Sequence, residues 1–97
     1  MYIIASEVYD RLAECLRDAI GGSSYFSGSV AVIDGDTECR LTASLIVYRE
    51  RIVSPEGTAE CISDIVPVWW ESRTTCGAEE MLDDCDFAEI RRRLAEC

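Results

Sequence analysis

Between Ser6 and Ile20, apolar residues recur at three- and four-residue steps: Val8, Leu12, Cys15, Leu16, Ala19 and Ile20. That spacing gathers them on one stripe of a helix, with Glu7, Asp10, Arg11, Glu14, Arg17 and Asp18 mostly on the other side. Ser6 is placed to cap the amino end, and Glu7 complements the positive end of the helix dipole. Gly21-Gly22 stops the helix, because glycine accepts the left-handed conformation without strain.

After Ser24 the period changes from near four to two. Tyr25 to Ile33 reads as a strand with Phe26, Gly28, Val30 and Val32 on one face. Asp34-Gly35 is a hairpin signal, with both central turn residues expected at positive φ. From Thr37 to Arg49, Cys39, Leu41, Ala43, Leu45 and Val47 alternate with Glu38, Arg40, Thr42, Ser44, Ile46 and Tyr48. This predicts a second strand with one buried and one wet face. Pro55-Glu56-Gly57 marks a turn. A third strand follows from Glu60 to Ser72. Pro67 lacks an N–H to donate, so it marks a sheet edge or a bulge. Thr74 to Glu80 reads as a polar connection around Gly77. Asp86 to Ala95 closes the chain as a helix. Asp86 and Glu89 are set as a capping box, Glu89 can pair with Arg93, and Arg91 to Arg93 lie toward the negative helix end.

The pattern therefore predicts an α+β fold in the order α-β-β-β-α. A three-stranded antiparallel meander sheet, with a fourth strand possible, packs against N-terminal and C-terminal helices. Residues 1-97 read as one small domain.

Composition narrows the chemistry more than the fold. Asp and Glu number 19 against 9 basic residues, for a net charge of −10, and every basic residue is Arg. The chain lacks Lys, His, Asn and Gln. Without His, the commonest general base and transition-metal ligand are missing. The acidic balance opposes direct nucleic-acid binding, which needs a basic stripe, and favours solubility and a basic partner. Glu7 and Asp10 fall where a secretory leader has its apolar core, and no apolar run reaches the about 18 residues that would span a membrane. The expected setting is the cytoplasm, with reduced thiols and no membrane contact.

The six cysteines, Cys15, Cys39, Cys61, Cys76, Cys85 and Cys97, contain no close Cys-x-x-Cys pair of the kind zinc sites use. Cys15 and Cys39 fall on predicted buried faces, and Cys97 is terminal and expected to be exposed. The acidic run Glu79, Glu80, Asp83, Asp84, Asp86 and Glu89 lacks the alternation of a calcium-binding loop and reads as a solvated approach to the last helix. A nucleophilic cysteine has no His or Lys to activate it. No metal or cofactor is expected.

The remaining candidate is Ile65-Val-Pro-Val-Trp-Trp-Glu71. Adjacent strand residues point to opposite faces, so Trp69 and Trp70 diverge: one packs under the helices and one faces out. The outward Trp, with Tyr48, Ile46, Pro67 and Glu71 around it, suits a protein contact, since Trp is enriched at interface hot spots. The expectation is a non-enzymatic interaction module, homodimeric in its simplest version, using the sheet edge at Trp69 and Trp70. An acidic mimic of nucleic acid that blocks a basic DNA-binding protein is the alternative, and a small enzyme is the third reading.

Overall fold

The computed structural model describes residues 1–96. The elements run α1 (Ser6–Ile20), β1 (Tyr25–Asp34), β2 (Thr37–Ser54), β3 (Gly57–Cys76), β4 (Glu79–Met81) and α2 (Phe87–Leu94). The four strands form one antiparallel sheet in the order β1-β2-β3-β4. This is the expected α+β meander flanked by two helices, with the fourth strand realised as a three-residue edge.

One apolar cluster lies between the helices and one sheet face. It takes Val8, Leu12, Leu16 and Ile20 from α1, Phe87, Ile90 and Leu94 from α2, and Cys39, Leu41, Ala43, Leu45 and Val47 from β2. The β2 set is the alternating set read from sequence, so period two has sorted a core face from an open face. On β1, Val32 is buried and Phe26 and Val30 pack at the margin, with the Phe26 ring lying over Gly28. A β-carbon at Gly28 would come within 3.3 Å of Phe26 Cζ, so the glycine makes room for the ring.

Several local details differ from the sequence reading. Asp34 pairs with Thr37, so the first hairpin loop is Gly35-Asp36 and only Gly35 has positive φ. A turn with glycine at its first central position needs no second left-handed residue. Strands β2 and β3 run on to Ser54 and Gly57, beyond the expected Arg49 and Glu60. The pairing continues because Pro55-Glu56 closes them as a tight hairpin. Thr74 to Cys76 extends β3, and Gly77 turns the chain into β4, so the segment read as a loop is a third hairpin. The N-cap of α1 is Ala5, with no side-chain bond; the Ser6 hydroxyl accepts instead from Arg93 Nη2 at 3.0 Å. Asp86 does cap α2, accepting from Ala88 N at 3.0 Å. Glu89 is drawn outward to Arg92 and Arg93, at 2.6 and 2.7 Å.

Polar contacts tie the ends of the chain to this frame. Tyr2 runs parallel to Asp83, with Tyr2 N donating to Leu82 O and Asp84 N to Tyr2 O. Arg93 bridges the helices: it pairs with Asp10 of α1 and Glu89 of α2 at 2.7 Å each, and stacks over the Tyr9 ring at 5.2 Å. Glu96 N donates to Ile62 O at 2.8 Å, fastening the segment after α2 to β3.

The molecule is elongated, 52 × 24 × 18 Å, because the β2–β3 hairpin outruns the helices. Every residue from Glu50 to Glu60 is exposed. Stability should therefore be unevenly distributed. Leu45→Ala, at a fully buried position, is expected to cost about 2–5 kcal/mol. Val53→Ala, on the exposed arm, should fall within about 0.5 kcal/mol of the parent. Urea unfolding of both variants checks this.

Candidate functional site

Two places combine chemistry-bearing side chains: a polar cluster beneath the sheet and the open sheet face.

In the cluster, Asp83 is held by three donors. Ser72 Oγ and Thr74 Oγ1 each donate at 2.8 Å, and Cys85 N donates at 3.0 Å. Thr74 is fully buried and its hydroxyl also lies 3.8 Å from Cys39 Sγ. Cys39 and Cys85 line a cavity here with about 10 Å³ of room, the space of one water. Burial, followed by the charge of Asp83, pushes the Cys85 thiol up to about 11. Burial likewise raises Cys39, against a lowering contribution from the Thr74 contact. Both thiols are thus held in the protonated, weakly nucleophilic form. With three donors on its carboxylate and a minute cavity, the cluster has the properties of a buried polar joint between β3 and the segment before α2. Among the described residues, no group of three or more His, Cys, Asp or Glu is arranged to hold a metal ion.

Cysteine chemistry departs from expectation at one point. Cys15, Cys39, Cys76 and Cys85 are free thiols, but Cys61 is disulfide-bonded. The expectation of reduced thiols throughout does not hold, because pairing depends on proximity in space and not on spacing in sequence. The reading of Cys97 lies outside the described residues.

The open face is built by β1, β2 and β3. On β3, Trp69 and Trp70 diverge as alternation requires. Trp70 turns to the helices and meets Phe87 at 5.9 Å between ring centroids. Pro67 pairs with the buried Leu45 and shares its face. Trp69 points the other way and is 50% exposed; Tyr48 at 51% and Tyr25 at 55% share its face, and its chain neighbour Val68 is 64% exposed. Ile46, Val66 and Glu71 also lie on this outer face, by register with Tyr25, Ile46 and Thr42 respectively. Of the six residues singled out from sequence, Trp69, Tyr48, Ile46 and Glu71 share the open face, while Trp70 and Pro67 belong to the covered one.

Sequence reasoning missed Tyr25, Val66 and Val68. Tyr25 was readable from the alternation of β1. Val68 depends on a bulge: Ser44 pairs with Trp69 and Leu45 with Pro67, leaving Val68 unmatched. The extra residue keeps Trp69 outward and adds an apolar side chain next to it. Pro67 was the available signal, since its ring disfavours regular pairing.

Ser27 and Ser44, in the same row as Trp69, bond through their hydroxyls at 3.1 Å. Beyond them on this face, Arg40 pairs with Glu38 at 2.9 Å and Arg73 with Glu71 at 2.7 Å. At the Trp end, Arg91 grips Asp64 with two bonds of 2.7 and 2.8 Å, and this guanidinium holds the Asp64 carboxyl below its usual range. No helix is long and apolar enough to cross a membrane among the described residues. Comparison with protein-family models, curated proteins and solved structures finds no match to this chain.

The raised Cys85 pKa has a measurable consequence. The unfolded thiol ionises near 9.0 and the folded one near 11. Its contribution to stability is therefore complete below about pH 9 and is lost as pH rises toward 11. Unfolding titrations across that window should show the loss, and Cys85→Ser should make it shallower, leaving the fall due to Cys39, Tyr2 and Tyr9, which burial also raises. An equally steep alkaline fall in the variant would refute this assignment.

Proposed function

We propose that the protein is a non-enzymatic interaction module that docks a protein partner on the outer sheet face around Trp69. The observation that carries this reading is the half-exposed Trp69, next to exposed Val68 and on the same outer sheet face as exposed Tyr25 and Tyr48, with both helices packed on the opposite face. Large aromatics at the centre of a patch supply most binding energy in protein interfaces, at low cost in side-chain ordering. The surrounding hydroxyls and charged pairs supply a polar rim of the kind such interfaces use.

The other readings gain less support. Seven carboxylates stand in ion pairs with arginine, which weakens any resemblance to a row of free phosphates. Catalysis by Cys39 or Cys85 would have to work against thiol pKa values shifted upward.

The chain has no Lys, so amine-directed crosslinkers reach little of it. A photoreactive amino acid placed at Ser44, opposite Trp69 in the register, is the suitable probe. In native host cells it should crosslink to protein, and Trp69→Ser should remove the crosslink while leaving the circular dichroism spectrum intact. Crosslinks that persist in the folded Trp69→Ser variant would count against docking at this face.

A further inference from the structure

We infer that Cys61 is bonded to Cys97, and that this disulfide is a redox latch fastening the C-terminal segment to the root of the β2–β3 arm.

Elimination is the first argument. Cys15, Cys39, Cys76 and Cys85 are free thiols, whereas Cys61 is disulfide-bonded. The chain holds six cysteines, so Cys97 is the one left to close a bond within a single chain.

The neighbouring contacts are the second. Glu96 precedes Cys97 and Ile62 follows Cys61. The Glu96 N–H donates to Ile62 O at 2.8 Å. Residues beside such a backbone bond lie about 4.5–5.5 Å apart at Cα, inside the roughly 4.4–6.8 Å that a disulfide spans. The Glu96 carboxylate also reaches α1, pairing with Arg17 Nε at 2.9 Å, and Arg17 Nη2 donates to Arg93 O at 2.9 Å. The segment after α2 is thus held against β3 and α1 together.

Isolation from the other thiols is the third. Disulfide exchange needs a thiolate within reach. Burial holds Cys39 and Cys85 in the protonated form, and Cys15 packs against the core from α1. Cys76 is exposed but stands about 15 residues farther along β3, roughly 50 Å at about 3.3 Å per residue. Cys61 itself is half-buried, directly after the exposed run of the arm, so a dithiol from solution can reach it. That dithiol supplies two electrons and two protons. The Cys61–Cys97 bond breaks, both sulfurs end as thiols, and the dithiol closes into its own disulfide. The opened segment keeps only the Ile62 contacts and the exposed Arg17–Glu96 pair, which hold a chain end weakly.

The test of the pairing is disulfide mapping of the full chain, purified without reductant and alkylated under denaturing conditions before digestion. Mass spectrometry should find one linked peptide pair holding Cys61 and Cys97, with Cys15, Cys39, Cys76 and Cys85 alkylated. Cys61 joined to any other cysteine, or to a second chain, overturns the pairing, as does an alkylated Cys61. The test of the latch is reduction with dithiothreitol. The bond closes a loop of about 36 residues and so constrains the unfolded chain; reduction should lower Tm by about 10 °C or more. It should also speed hydrogen exchange at the Glu96 amide while Leu41 and Leu45 stay protected. Cys97→Ser should start at the lowered Tm and ignore dithiothreitol, whereas Cys15→Ser should respond as the parent does. A Tm unmoved by dithiothreitol overturns the latch. So does a reduction that strips protection from Leu41 and Leu45 along with Glu96.

Discussion

The inner side of β2 is the surface on which the molecule is assembled. Cys39, Leu41, Ala43, Leu45 and Val47 project from one pleated face and are all buried. Neither helix could bury its own stripe without them, and the neighbouring strands take their register from the same element. Because strand side chains alternate, committing this set to the core commits Glu38 through Tyr48 to the opposite face. A slip of one residue would exchange the two sets and place Arg40 and Glu38 beneath the helices. The core and the bare face are thus one constraint seen from two sides.

Polar clasps then determine how the helices sit on that surface. Arg93 holds Asp10, Glu89 and Ser6 at once and lies over Tyr9. Asp83 gathers Ser72, Thr74 and the backbone of Cys85. Both are charge-assisted and multiply bonded, which makes them stronger and more directional than single exposed pairs. They occupy the covered side or its edges, so among the described residues no helix lies over the outer face. The half-exposed Trp69 on the face opposite the helices, together with Tyr25 and Tyr48, is the feature on which the docking proposal rests.

Much of this architecture was legible in the chain. The helical stripe from Val8 to Ile20, the alternation from Glu38 to Tyr48 and the divergence of Trp69 from Trp70 each follow from backbone geometry alone. The length of the β2–β3 arm was not, because Ile52 to Glu60 lacks the buried alternation that identifies a strand. Pairing there is carried by backbone bonds and a tight turn. Strand β4 was hidden for a similar reason: Glu79-Glu80-Met81 has no strand signature and is recruited by the exposed edge of β3 beyond Gly77. Of the candidate site, Trp69, Tyr48 and Ile46 were recoverable from period two, while Val68 required the bulge.

By itself, the sequence determined the periodicities, and hence the succession of elements and the sorting of residues onto two sheet faces. Those are properties of local geometry, fixed within a few residues. It also determined the charge and the absence of His and Lys, which limit the available chemistry. Tertiary structure alone decided which Trp lies under a helix, which carboxylates find a guanidinium and which cysteine is oxidised. Each of these depends on groups tens of residues apart being brought within a few ångströms, and no spacing along the chain encodes that distance.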